Sequence, residues 1–154
     1  MAVGDNVLEA DRIFINTGGR PVIPSWAGLA DVPYLTNTTL LELDWVPQHL
    51  VIAGGSYIGL EFARMYRRFG ARVTVVEYAD RLIAREDEDL SRAVQDILAV
   101  AGIAFHLGVR DVALSRASGG VRLTARAHGE PITVEGSHLL LAVGRRPNTE
   151  SLDA

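Results

Sequence analysis

Cysteine is missing from this 154-residue sequence, which excludes disulfide staples, zinc–cysteine centres and a thiol nucleophile together. Any thiol chemistry connected with it must be supplied from outside. Long apolar runs are missing too. The longest, residues 97–101 and 139–143, fall far short of the roughly 20 residues that cross a bilayer, and no basic start leads into an apolar stretch. The sequence therefore reads as soluble and cytoplasmic. No charge of one sign dominates: 15 basic and 19 acidic residues are interspersed to a net charge of −4, with no basic stripe to neutralise a line of phosphates. Nucleic acid and anionic membrane are not expected partners. His49, His106, His128 and His138 show no ligand-like spacing, so no metal site is assigned.

What is present is a hydrophobic fraction of 48%, enough at this length for one sizeable core and too little chain for two full domains. Residues 12–16 alternate as a short strand and run into Thr17-Gly18-Gly19, after which Pro21, Pro24 and Pro33 mark an extended connection. Thr39-Leu40-Leu41-Glu42 has the spacing of a capping box, and Pro47 stops that helix after about one turn. From Leu50 the pattern changes. Leu50-Val51-Ile52-Ala53 is a continuous apolar run, as expected of a strand buried on both faces of a parallel sheet. Ile58, Phe62, Met65, Tyr66 and Phe69 then recur at helical spacing, opposite Arg64, Arg67 and Arg68, and Gly70 closes the helix.

Residues 72–76 form a second predicted strand. A second helix is expected from about Asp87, since the acidic run 86–89 suits a positive helix N-terminus and Leu90, Val94, Ile97 and Leu98 supply an apolar face. Residues 103–106 read as a third strand. Segments 109–114, 121–127 and 132–134, joined by Ser118-Gly119-Gly120 and His128-Gly129-Glu130, predict an antiparallel meander, and residues 139–143 return as a buried strand.

The chemistry concentrates at Gly54-Gly55-Ser56-Tyr57-Ile58-Gly59, directly after the first buried strand and opening a helix, where a G-x-G-x-x-G fingerprint belongs. Gly54 permits the tight turn, Gly59 lets helix and strand pack closely, and amides at the helix start can hold a pyrophosphate. Ser56 replaces the second glycine. Its side chain stands where backbone should approach phosphate, although a hydroxyl can also donate to a phosphate oxygen. Glu77 ends the second strand 23 residues after Gly54, where an acid accepts hydrogen bonds from adenosine ribose hydroxyls. The order strand, turn, helix, strand, acid predicts an α/β fold: a Rossmann-type parallel sheet with an inserted antiparallel three-stranded meander.

Residues 49–77, HLVIAGGSYIGLEFARMYRRFGARVTVVE, resemble the NAD(P)H domain of class I pyridine nucleotide-disulfide oxidoreductases, the family of dihydrolipoamide dehydrogenase, glutathione reductase and mercuric reductase. Two flanking motifs agree. Ile13-Phe14-Ile15-Asn16-Thr17-Gly18 is similar to the segment closing the family's FAD domain, and Leu141-Ala142-Val143-Gly144-Arg145-Arg146-Pro147-Asn148-Thr149 is similar to its A-x-G-R-x-P-N-T segment. The resemblance implies that residues 1–48 are the edge of an FAD domain and a linker, and that residues 49–154 are an NAD(H)-binding domain. It implies that the turn, Gly54 through Gly59, holds the pyrophosphate and that Glu77 holds the adenosine ribose, while Gly144 approaches the dinucleotide. Glu61 matches a glutamate that orients the nicotinamide. Tyr57 matches a residue that covers the flavin and moves aside for the nicotinamide, although the bland readings, Tyr57 as a packed aromatic and Glu61 as a solvated helix residue, stay open. Thr17 and Gly18 touch FAD only in a complete enzyme.

Family members also carry an FAD domain with a redox-active cysteine pair and a C-terminal dimerisation domain, and neither is in this sequence. The expectation is therefore a fragment, inactive alone, whose full-length enzyme is a homodimer with FAD and prefers NADH over NADPH. Ser56 and Arg85-Glu86-Asp87 resemble mercuric reductases. Two other functions compete. A freestanding nucleotide-binding or redox-sensing module fits the turn, but the abrupt end after Arg146-Pro147-Asn148 favours truncation. A methyltransferase shares the glycine turn and the acid without explaining the flanking motifs.

Overall fold

The computed structural model of the chain describes residues 2–150 and 152. Two short strands, β1 (Ala2–Val3) and β2 (Asn6–Val7), pair as an antiparallel hairpin. The strand expected at residues 12–16 does not form, and Ile13, Phe14 and Ile15 stay exposed, Phe14 at 88%. Alternation makes a strand only where a neighbour takes up its backbone groups. Among the described residues, no strand pairs with this stretch. β3 (Gly19–Pro21) does find a partner, pairing antiparallel with the last strand, β11 (Arg145–Pro147).

A 3₁₀ turn, Leu29–Asp31, and helix α1 (Asn37–Leu40) follow. The capping box lies one turn before its expected place. Thr36 is the N-cap, accepting from the Thr39 amide while the Thr39 hydroxyl accepts from the Thr36 amide at 2.9 Å. With this start Leu40 lies in the core, fully buried.

The body alternates strand and helix: β4 (His49–Ala53), α2 (Tyr57–Arg68), β5 (Arg72–Val76), α3 (Glu88–Val100) and β6 (Ile103–His106). A meander of β7 (Val109–Ala117), β8 (Gly120–Ala127) and β9 (Glu130–Gly136) leads to β10 (His138–Leu141). The parallel sheet runs β10-β4-β5-β6, and the meander forms its own antiparallel sheet β7-β8-β9. The apolar run of β4 is explained by two cores. Leu50 and Ile52 face the helices with Leu60, Ala63 and Tyr66, whereas Val51 and Ala53 face the meander with Leu114, Val121 and Leu123. Each fully buried Leu, Ile or Val contributes about 1.5–3 kcal/mol. Tyr66 keeps a polar tip in this core because its hydroxyl donates to the Leu40 carbonyl at 2.9 Å.

Both helices sit slightly rotated from their expected faces. On α2, Ile58 and Phe69 are exposed while Leu60 and Ala63 are buried, and on α3 the buried positions are Ser91 and Leu98 rather than Leu90 and Ile97. Ser91 tolerates burial because its hydroxyl donates to the Leu82 carbonyl at 2.7 Å. That bond ties the β5–α3 loop to the helix.

At the sheet's other end His49 is buried, with Nε2 2.9 Å from the Thr74 hydroxyl. Burial, and then the Arg72 charge, push its imidazole below the ordinary histidine value. In the unfolded chain His49 takes a proton at a higher pH than in the fold, so stability falls as pH drops through the unfolded value near 6.5. A His49→Gln variant should lose most of that acid sensitivity, which urea unfolding at pH 5 and pH 8 measures.

Candidate functional site

At the carboxyl end of β4 the chain must reverse into α2 within three residues, and Gly54 does this at φ +117°. A Cβ there would lie 2.3 Å from the Ala142 carbonyl oxygen, so only glycine fits between β4 and the end of β10. Gly59 solves the next problem. A Cβ on it would come within 2.0 Å of the Gly54 carbonyl oxygen, so its absence lets α2 pack directly on the turn. Ser56 sits between them as the N-cap, exposed, at an ordinary φ of −101°. A side chain at this position therefore costs no backbone strain. No side chain caps α2, and Ser56, Tyr57 and Ile58 are all exposed. The first-turn amides and the positive end of the helix thus face outward, an arrangement suited to an anion.

Glu77 stands immediately after β5 with its carboxylate half-buried beneath the turn. One oxygen accepts from the Gly55 amide and the other from the Ala79 amide at 2.7 Å. These bonds fix the carboxylate's orientation. They use two of its roughly four acceptor sites, leaving others for hydroxyl donors. Glycine at 55 eases this approach, since a Cβ would lie 2.8 Å from Leu82 Cδ2 and 3.0 Å from the Glu77 Cβ, and both side chains would have to give. The Ile83 amide, donating to the Gly55 carbonyl at 2.9 Å, ties the β5–α3 loop to the same turn.

A cleft of about 780 Å³ opens over these groups, bounded by Gly54, Gly55, Ser56 and Glu77 and, from the segment after β10, by Gly144. Gly144 is exposed, and its carbonyl accepts from Val22 at 2.9 Å. Glu61 is exposed on α2. Thr17 and Gly18 lie apart from the cleft lining, exposed, with their carbonyls accepting from the side chain and the backbone of Asn148, each at 3.1 Å. Tyr57 is 57% exposed, and its hydroxyl donates to the Glu86 carboxylate, a bond that pushes the phenol above its ordinary value.

The cleft has a wall that the sequence reading missed. Arg110 and Asp111 come from β7, whose register with β8 shifts between Arg110 and Ala113, and Asp111 takes φ +55° there. That irregularity falls where β7 borders the cleft. The Arg110 guanidinium lies 3.5 Å over the ring of Tyr78 and donates to the Tyr78 carbonyl. A charged residue in an alternating strand carries no signal of this, because the bulge has no residue pattern of its own.

A parallel sheet whose first strand runs through a glycine turn into a helix, with an acid closing the second strand, defines a Rossmann-type domain. Comparison with known proteins narrows this. Residues 2–154 match the family model described as pyridine nucleotide-disulphide oxidoreductase. The mercuric reductase of Streptomyces lividans is 39% identical over 149 residues, 97% of this chain and 31% of the relative. Dihydrolipoyl dehydrogenase 3 of Pseudomonas aeruginosa is 39% identical over 151 residues, 97% of this chain and 32% of that protein. The solved HOCl-induced flavoprotein disulfide reductase RclA from Escherichia coli superimposes with a TM-score of 0.76 at 35% identity, covering 95% of this chain and 33% of that one. The chain belongs to the class I pyridine nucleotide-disulfide oxidoreductases, a family of FAD-dependent flavoproteins. It spans about a third of the length of these relatives.

Proposed function

We propose that this chain is the NAD(H)-binding domain of an FAD-dependent pyridine nucleotide-disulfide oxidoreductase, mercuric reductase-like or dihydrolipoamide dehydrogenase-like, which passes hydride from NADH to FAD in the whole protein. The observation that carries the reading is that the glycine turn, the α2 N-cap Ser56 and Glu77 line one cleft of about 780 Å³, with no side-chain cap on α2. The residues fit a dinucleotide. The amides of Ser56, Tyr57 and Ile58 would hold the pyrophosphate, Glu77 the adenosine ribose and Gly144 the far side, with Glu61 toward the nicotinamide. Hydride chemistry is supplied by the nicotinamide when bound, and this chain's share is position and orientation. Residues 1–48 would belong to the edge of an FAD domain and its linker, and the FAD and dimerisation domains would complete a homodimer in the cytoplasm. The freestanding nucleotide-binding or redox-sensing module is the second reading, since the cleft over the turn and Glu77 is lined by residues of this chain alone.

Calorimetric titration with NADH, with S-adenosylmethionine as competitor, tests the reading. Saturable NADH binding that S-adenosylmethionine does not displace is expected, and the reverse would point to a methyltransferase. For FAD the fit is poor, since Thr17 and Gly18 supply only one exposed edge. The 154-residue polypeptide expressed alone should purify colourless and oxidise NADH no faster than background with a disulfide or mercuric ion. A stoichiometric flavin absorption band would refute that. Glu61→Gln in the flavin-containing full-length protein should slow flavin reduction more than it weakens NADH affinity, because the lost contact lies at the reacting end. An unchanged reduction rate in stopped flow would remove Glu61 from the nicotinamide site.

A further inference from the structure

The start of β7 is tied to the residues that follow β5. The Gly108 amide donates to the Ala79 carbonyl and the Val109 amide to the Glu77 carbonyl, each at 2.9 Å. Asp111 comes two residues later, within about 7 Å of Val109 at the rise of a strand. It is exposed and takes φ +55°, a conformation that Asp and Asn adopt more readily than other residues with a side chain. Val109, Arg110, Asp111 and Val112 all border the cleft. A regular strand turns only alternate side chains to one face, and it is here that the register of β7 with β8 shifts. The Asp111 carboxylate has no hydrogen-bond or ion-pair partner among the described residues. The cations near it are committed elsewhere. Arg110 lies 3.5 Å over the Tyr78 ring and donates to the carbonyls of Tyr78 and Val109. Arg126, opposite Arg110 on β8, donates to the Gly129 carbonyl at 2.9 Å.

In the sheet order β10-β4-β5-β6 the turn follows β4, Glu77 follows β5, and β7 follows β6. A dinucleotide with its pyrophosphate on the turn and its adenosine ribose at Glu77 carries its base onward in that direction, to the wall that β7 makes. The wall offers the base an acceptor with no donor of its own. Adenine brings the matching group, the N6 amine, whereas a 6-oxo purine brings an oxygen that only accepts. We propose that Asp111 is a specificity-determining residue, whose carboxylate accepts from the N6 amine and so selects adenine over a 6-oxo purine. The proposal rests on the dinucleotide reading, and it adds to that reading a choice of base that neither the glycine turn nor Glu77 can make.

The test titrates NADH and its hypoxanthine counterpart, in which an oxygen replaces the N6 amine, into the wild-type chain and into Asp111→Gly and Asp111→Asn, by calorimetry. The wild-type chain should bind NADH about three- to tenfold more tightly than the counterpart. Asp111→Gly should bring that ratio close to one by weakening NADH alone. It should melt no lower than wild type, because glycine adopts the positive φ freely. Asp111→Asn keeps the shape and carries both a donor and an acceptor, so it should bring the ratio close to one by strengthening the counterpart. A structural role for Asp111 would shift both ligands together and leave the ratio where it was. Equal wild-type affinities for the two ligands, or a ratio that either variant leaves unchanged, would overturn the proposal while the dinucleotide site stands. Failure of both ligands to bind the wild-type chain would overturn the dinucleotide reading and the proposal with it.

Discussion

Gly59→Ala should abolish most NADH affinity and lower folding stability together. The added Cβ would lie 2.0 Å from the Gly54 carbonyl oxygen and 3.1 Å from its carbon. Both are backbone atoms, so no rotamer change relieves the overlap. Helix α2 must therefore lift off the end of β4, which loosens the packing of Leu60 and Ala63 on the sheet. Overpacking of this kind costs about 1–3 kcal/mol. The same displacement moves the first-turn amides, which the proposed site assigns to the pyrophosphate. Hydrogen bonds to a charged group are worth about 1.5–3 kcal/mol, so affinity should fall by roughly ten- to a hundredfold. Thermal unfolding and NADH titration read the two effects separately. A variant with wild-type melting and wild-type affinity would show that the turn is not the binding element.

The second large effect concerns the choice between NADH and NADPH. The Glu77 carboxylate is held in one orientation by the Gly55 and Ala79 amides, and in the proposed site it faces the adenosine ribose. It can accept from the 2′- and 3′-hydroxyls, but a 2′-phosphate would place further negative charge beside it. One charge-assisted bond lost and one repulsion gained amount to about 1–3 kcal/mol, or roughly ten- to a hundredfold in favour of NADH. Nearby arginines are engaged elsewhere. Arg81 donates to the carbonyls of Ala84 and Glu86, and Arg110 lies over the Tyr78 ring and donates to its carbonyl. Arg85 stands on the cleft wall and is the basic residue best placed to soften the preference. Glu77→Arg should shrink or invert the ratio. Because that change also strips two amides of their acceptor, Glu77→Gln is the companion variant, expected to narrow the ratio with a smaller stability loss. Calorimetry with both reduced cofactors decides the matter, and equal wild-type affinities would show that Glu77 does not read the ribose.

The parts of this fold legible in the sequence are those where local pattern and tertiary demand coincide. β4 and β5 are buried runs bounded by glycine or charge, and Asp87 is the N-cap of α3 because the acidic run there suits a helix start. The meander turns were legible for a different reason. His128 and Gly129 take φ values of 49° and 87°, the left-handed pair that a two-residue hairpin needs. Residues 12–16 misled because alternation reports a face that could be buried, not a partner that will bury it. The α1 cap was misplaced because Thr36 and Thr39 satisfy each other without the glutamate that usually marks the motif. At the site, Gly54, Gly59 and Glu77 were legible from spacing alone. Arg110, Tyr78 and Glu86 were not, since what brings them there is a bulge, a ring stack and a bond across 29 residues.

The central claim, that the glycine turn and Glu77 hold a dinucleotide, is tested most directly by amide chemical-shift mapping of the isotope-labelled chain during NADH titration. The account predicts that the largest shifts fall on Gly55, Ser56, Tyr57, Ile58 and Gly59, with Ala79 and Gly144 following and the tips of the meander at Gly119 and Gly129 unmoved. Saturable binding whose shifts centre anywhere other than this turn would contradict it.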